Sequence, residues 1–229
     1  MQRPGPAVRG FHSAVRLTPT LVLLAVAALA GGACAQAPAT HQHQFGDAAR
    51  WTPIFDDPRR DAWQKPHEVI DTLALKSNAV VADIGAGTGY FTVRLARMLP
   101  KATVYAADIE PDMVKHLGER AKRERLANVR VVQSSLDDAR LPEPVDLALL
   151  VDVYHHIDDR RAYFGKLKSR LKPGGRVAII DFTLDAEIGP PPRARVAPER
   201  VKAELTAAGY RLAEEYSFLD NQYFLVFAP

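Results

Sequence analysis

The sequence predicts an α/β domain, a mostly parallel sheet with helices on both faces, and three observations predict it. Short apolar runs rich in β-branched residues recur at 79–84, 103–107, 129–132, 145–151 and 176–181, the pattern of strands buried on both faces. Segments with apolar residues at helical spacing separate these runs. At 229 residues and 47% hydrophobic content, the chain can bury one sizeable core.

The first run organises the rest. In VVADIGAGTGYF, residues 80–91, the strand ends in Asp83 and Ile84. Gly85, Gly87 and Gly89 then alternate, before Phe91, Leu95 and Leu99 repeat at helical spacing. Glycines let the chain turn sharply and let a ligand lie against backbone, and a loop feeding a helix N-terminus is an anion site. The spacing is G-x-G-x-G, not the dinucleotide fingerprint G-x-G-x-x-G, and an acid stands two residues before the first glycine. That acid repels a pyrophosphate and attracts an ammonium or sulfonium group. S-adenosylmethionine carries both, with a carboxylate for the helix end.

This stretch resembles motif I of the class I S-adenosylmethionine-dependent methyltransferases, acid-x-Gly-x-Gly-x-Gly, matched without gaps at Asp83, Gly85, Gly87 and Gly89. LKPGGRVAIIDF at 171–182 is similar to the family's post-motif signature. The resemblance implies a Rossmann-like fold: seven strands, mostly parallel, with helices on both faces and an antiparallel C-terminal strand. It implies that S-adenosylmethionine meets Asp83, Gly85, Ala86, Gly87 and Gly89 in the loop, Asp108 and Ile109 after the second strand, and Asp137 after the third.

In chain order, residues 1–35 read as an export signal: arginines, the apolar core LVLLAVAALA at 21–30, then small residues around Cys34. Ala33-Cys34-Ala35 fits ordinary signal cleavage, while Gly31-Gly32-Ala33-Cys34 resembles a bacterial lipobox, the preferred reading. The expected location is the cell envelope, with a membrane tether through Cys34, or the cytoplasm if the start site is misassigned. Residues 36–50 read as a linker. Residues 51–68 mix aromatic, charged and proline residues outside regular structure. In the resembled family the segment before motif I often covers the cofactor, which implies an arm or lid with Trp63 and Gln64 near the site. Residues 69–229 are then the methyltransferase domain.

A helix over 66–75 leads into the first strand. Asp108 ends the second, 19 residues beyond Gly89, where an acid can accept both hydroxyls of a ribose; capping the helix that starts at Pro111 is the alternative. Met113, Val114, Leu117 and Ala121 form that helix's apolar face. After the third strand, QSSLDDARLP offers Asp137, with Asp138 as the neighbouring alternative, where the resemblance implies an acid on the adenine amino group. The fourth strand delivers Asp152, Tyr154, His155 and His156 at its carboxyl end, beside the first strand at the switch in strand order. A cluster of ionisable residues there marks a functional site. A helix with Phe164, Leu167 and Leu171, a turn at 172–175, a proline-stiffened loop, a helix over 198–208 and a C-terminal hairpin complete the chain.

The net charge of +3 traces to Arg3, Arg9 and Arg16, which precede every acidic residue, so no broad basic field points to nucleic acid. Cys34 is the sole cysteine, which excludes internal disulfides and thiol chemistry in the folded part; no metal site is expected. The expected function is methyl transfer from S-adenosylmethionine to a small-molecule acceptor, with His155 as base and Tyr154 and Asp152 orienting it or the acceptor. A non-catalytic envelope lipoprotein that binds an adenosyl ligand, and a nicotinamide-dependent oxidoreductase, are the alternatives.

Overall fold

The computed structural model describes Gly5 and residues 45–229. The expected export signal and most of the linker lie outside the described residues, and the fold belongs to the unit Ala35–Pro229. Three helices open it: α1 (Ala48–Phe55), α2 (Arg60–Gln64) and α3 (Pro66–Thr72). Strands and helices then alternate as β1 (Val80–Ile84), α4 (Tyr90–Met98), β2 (Thr103–Asp108), α5 (Pro111–Arg123), β3 (Val129–Gln133) and β4 (Val145–Val151). A 3₁₀ turn at Tyr154–His156 comes next, then α6 (Arg160–Lys168), β5 (Leu171–Phe182), α7 (Pro198–Ala207), β6 (Arg211–Tyr216) and β7 (Gln222–Ala228).

The strands form one seven-stranded sheet in the order β3-β2-β1-β4-β5-β7-β6. From β3 to β5 the pairs are parallel, and β7 runs antiparallel to both of its neighbours. The order reverses between β1 and β4, which pair through Val81 with Leu147 and Ile84 with Leu150. Two apolar clusters sandwich the sheet. Val69, Ile70, Phe91, Leu95 and Leu117 bring α3, α4 and α5 onto one face; Tyr163, Phe164, Leu167, Val201 and Leu205 bring α6 and α7 onto the other. Both faces are thus covered, which is why the central strands read as continuous apolar runs.

Two segments depart from the sequence expectation. Residues 51–68, expected outside regular structure, are largely helical, because the Asp47 carboxylate caps α1 by accepting from Arg50 N–H and Pro66 opens α3. The linker boundary expected at residue 50 falls inside α1. Phe45 is already fixed, its N–H donating to Glu110 and its ring packing on Trp51, Phe55 and His156. The strand expected at 176–181 begins at Leu171, which pairs with Val145; a register shift between Val145 and Leu147 absorbs the expected turn as a bulge.

Candidate active site

The carboxyl edge of the sheet gathers the chemistry. Gly85, Gly87 and Gly89 all hold positive φ. A Cβ on Gly85 would lie 2.3 Å from Val153 Cγ2, and one on Gly87 would lie 3.4 Å from the Phe55 ring, so this loop is closely covered by its neighbours and needs glycine. Gly85 and Ala86 donate to Ala107 O, tying the loop to the tip of β2. There Asp108 accepts from Gly87 N–H at 2.7 Å and Glu110 N–H at 2.9 Å. One acid therefore ties the glycine loop to Glu110, the N-cap residue of α5, close to the capping role weighed for it. Burial raises its pKa, and those two backbone donors partly oppose the rise.

Asp83 lies beneath the loop, 3% exposed, accepting from Thr92 Oγ1 at 2.6 Å. Burial raises its pKa to about 6, helped by the nearby Asp108 charge. Ile109 follows β2 with its side chain exposed. Asp137, in the loop after β3, is exposed and held by Lys166 Nζ at 2.6 Å and Ser135 Oγ at 2.8 Å. Those bonds, Lys166 first, lower its pKa to about 2. Asp138 closes the same small loop by pairing with Ser135.

The tip of β4 holds a second constellation. Asp152 adopts a left-handed backbone, φ +60, uncommon for an aspartate and typical of functional turns. Its carboxylate accepts from Arg60 Nη2 and Gln64 Nε2, both at 3.2 Å, and from Gln222 Nε2. Gln64 also donates to Gln222 Oε1 at 3.1 Å. Burial raises the Asp152 pKa to about 6 against the pull of Arg60. The N-terminal arm is thus latched to the ends of β4 and β7, while Phe55 covers Gly87 and Asp56 pairs with Arg120 at 2.7 Å.

His155 is buried, and its Nδ1 lies 2.9 and 3.0 Å from the two oxygens of Asp181; its backbone N–H donates to the same carboxylate. Burial by itself lowers the His155 pKa, but the Asp181 bond and charge, with Asp152 behind them, carry it above the ordinary value. Nδ1–H donating to Asp181 leaves Nε2 as the basic nitrogen. Tyr154 does not orient His155, contrary to the expectation. It is fully buried on the α6–α7 face, its hydroxyl donating to Glu204 Oε2 at 2.6 Å and its ring stacked on Phe164. Burial and Glu204 push its pKa further up. His155 meets Asp181 while Tyr154 meets Glu204 because the 3₁₀ turn rotates successive side chains by about a third of a circle.

Asp181, Arg60 and Gln222 were not anticipated from the sequence. The signal for Asp181 was present: it is an acid near the end of the strand beside β4, opposite Tyr223 in the register. A larger cavity of about 470 Å³, lined by Pro100, Thr103, Arg125 and Arg130, opens at the start of β2 and β3. That is the amino edge of the sheet, away from the strand ends where such folds bind ligands.

The chain belongs to the methyltransferase-domain family, whose match covers residues 75–216. It is similar to a crystal structure of a SAM-dependent methyltransferase from Aquifex aeolicus, with TM-score 0.73 and 27% identity, over 79% of this chain and 97% of that one. It is 30% identical over 171 residues to the trans-aconitate 2-methyltransferase of Azoarcus sp., covering 69% of this chain and 66% of the relative. An uncharacterized methyltransferase of Mycobacterium tuberculosis is 30% identical over 117 residues, half of this chain and 56% of the relative. Other curated relatives are matched over as little as 26% of their length.

Proposed function

We propose that the protein transfers a methyl group from S-adenosylmethionine to a protonated oxygen or nitrogen of a small acceptor, with His155 as base and Asp181 as its partner. The observation that carries this is the His155–Asp181 pair beside the glycine loop at the strand switch. The loop suits the cofactor: its glycines permit close approach, Asp108 stands at the tip of the neighbouring strand, and buried Asp83 offers a negative charge. Asp108 would take the ribose hydroxyls and the N-terminus of α4 the carboxylate. The bound cofactor supplies an electrophilic methyl on a sulfonium.

The chain's own groups then handle the proton. His155 Nε2 removes it from the acceptor O–H or N–H while Nδ1–H stays on Asp181, whose charge stabilises the imidazolium that forms. Asp152, held by Arg60, Gln64 and Gln222, fixes the arm that closes the acceptor side. The similar relatives and solved structures are methyltransferases, which favours this reading over the nicotinamide alternative. The export-signal pattern of residues 1–35 supports an envelope location under the same proposal.

Thermal melting tests the cofactor half. S-adenosylhomocysteine raises the melting temperature by mass action and NADH does not; the reverse result removes the reading. His155→Ala tests the catalytic half. It keeps the S-adenosylhomocysteine shift and lowers turnover of an acceptor, found by screening extracts with labelled cofactor, by roughly 10²–10⁴. Full activity in that variant excludes His155 as the base.

A further inference from the structure

Six large apolar side chains are exposed among the described residues, and five of them, Ile54, Ile109, Leu136, Leu184 and Ile188, belong to the arm or to loops leaving the carboxyl ends of strands. Ile109 and Leu136 follow β2 and β3, where the adenosyl group is proposed to lie. The other three form one ridge. Ile54 lines a cavity of about 270 Å³ with Arg60 and Trp63. Trp63 packs on Phe182 with ring centroids 5.9 Å apart. Phe182 in turn lies against Gly189, where a Cβ would fall 2.5 Å from its ring. Leu184, 51% exposed, and Ile188, 37% exposed, stand on the same loop.

That loop is held in shape from within. The Arg195 guanidinium donates to the carbonyls of Thr183, Leu184, Ala186, Ile188 and Pro190. Five bonds from one side chain fix the backbone that carries Leu184 and Ile188, so presenting them to a partner costs little ordering entropy. The charges around the ridge are mixed: Asp57, Arg59, Asp185, Glu187 and Arg193. Neither a strongly acidic nor a strongly basic partner matches them.

The chain reaches this body from the same edge. Phe45 is fixed between Glu110, which caps α5, and His156 beyond β4. Residues 35–44 alone separate it from Cys34. Ten residues reach at most about 36 Å even when fully extended, less than the breadth of a domain of this size, which is about 40 Å. An anchor at Cys34 therefore keeps the carboxyl edge nearer the membrane than the amino edge.

We propose that the ridge Ile54–Trp63–Leu184–Ile188 docks the carboxyl edge of the sheet on a zwitterionic lipid surface. The proposal rests on the lipid-anchored envelope reading of residues 1–35. It differs from a tether alone because the apolar side chains themselves enter the bilayer.

The full chain with lipidated Cys34, reconstituted in phosphatidylcholine vesicles with brominated acyl chains, tests it. Trp51→Phe leaves Trp63 as the only tryptophan, and bromine quenches tryptophan only at contact range. The expected result is quenched Trp63 emission relative to unbrominated vesicles. In the same background, Ile54→Asp with Leu184→Asp and Ile188→Asp abolishes the quenching without releasing the protein from vesicles. An unaltered melting shift with S-adenosylhomocysteine shows that this variant is folded and keeps the cofactor reading separate from the docking result. Retention on vesicles without quenching overturns the docking, as does quenching that survives the triple substitution. Failure of the parent to be retained overturns the anchor and the proposal with it. A concentration-dependent dimer that the triple substitution dissolves overturns it in favour of a second copy of the chain.

Discussion

Replacing Asp83 by asparagine is expected to make the protein more stable at pH 7.5 while weakening its hold on the cofactor. Asp83 is 3% exposed, and burial together with the Asp108 charge raises its pKa from the ordinary 3.8 to about 6. An acid whose folded pKa is raised holds its proton more tightly in the native state. Its contribution to stability is therefore most favourable below about pH 3.8, declines as pH rises to about 6, and stays reduced above. That rise corresponds to about 3 kcal/mol. Asparagine keeps an oxygen for Thr92 Oγ1 and carries no charge, so the variant should gain about 2–3 kcal/mol at pH 7.5, or about 4–10 °C in Tm for a domain of this size. Near pH 4 the gap should shrink to about 0.5 kcal/mol, because wild-type Asp83 is then neutral in the folded state and about half ionised in the unfolded one. Asp152 titrates over the same range in both proteins, so their difference isolates Asp83. Urea denaturation of both proteins from pH 4 to 7.5, with S-adenosylhomocysteine titrations beside it, measures the effect. A variant less stable than wild type at pH 7.5, or a gap independent of pH, would refute the reasoning. A gain in stability paired with a loss in affinity is the trade expected where a buried charge is kept for function.

Asp108→Ala removes the carboxylate between the glycine loop and the proposed ribose site and should weaken S-adenosylhomocysteine binding by about 1.5–3 kcal/mol, the scale of charged hydrogen bonds. Calorimetry reads it, and unchanged affinity in the folded variant would leave Asp108 only its tie between the glycine loop and Glu110. Asp181→Asn should lower the His155 pKa, since the carboxylate is what raises it, and should cut turnover by disturbing the tautomer. The rate of a base-catalysed step rises with pH through the His155 pKa, so the acid limb of the pH–rate profile should move to lower pH. An unmoved limb would show that Asp181 does not act through His155.

The sequence by itself determined what depends on neighbours along the chain. The apolar run before Gly85, the glycine alternation and the amphipathic stretch from Phe91 are consecutive, so strand, loop and helix could be read in place. The parallel order around β1 and β4 followed from the same repeating unit. The pairing of distant side chains could not be read. Asp181 meets His155 from 26 positions away, and Gln222 meets Gln64 from 158. Asp181 was legible as an acid near a strand end, but no local pattern named His155 as its partner or Gln222 as that of Gln64. Tyr154 and His155 are adjacent, yet only the 3₁₀ turn and the packing of α6 and α7 decided that one serves the core and the other the site. The arm made the same point in reverse. Its prolines and charges read as irregular, but its helices dock where Phe55 finds the glycine loop and Arg60 finds Asp152. Burial against a surface built by the rest of the chain supplies the free energy that local propensity lacks.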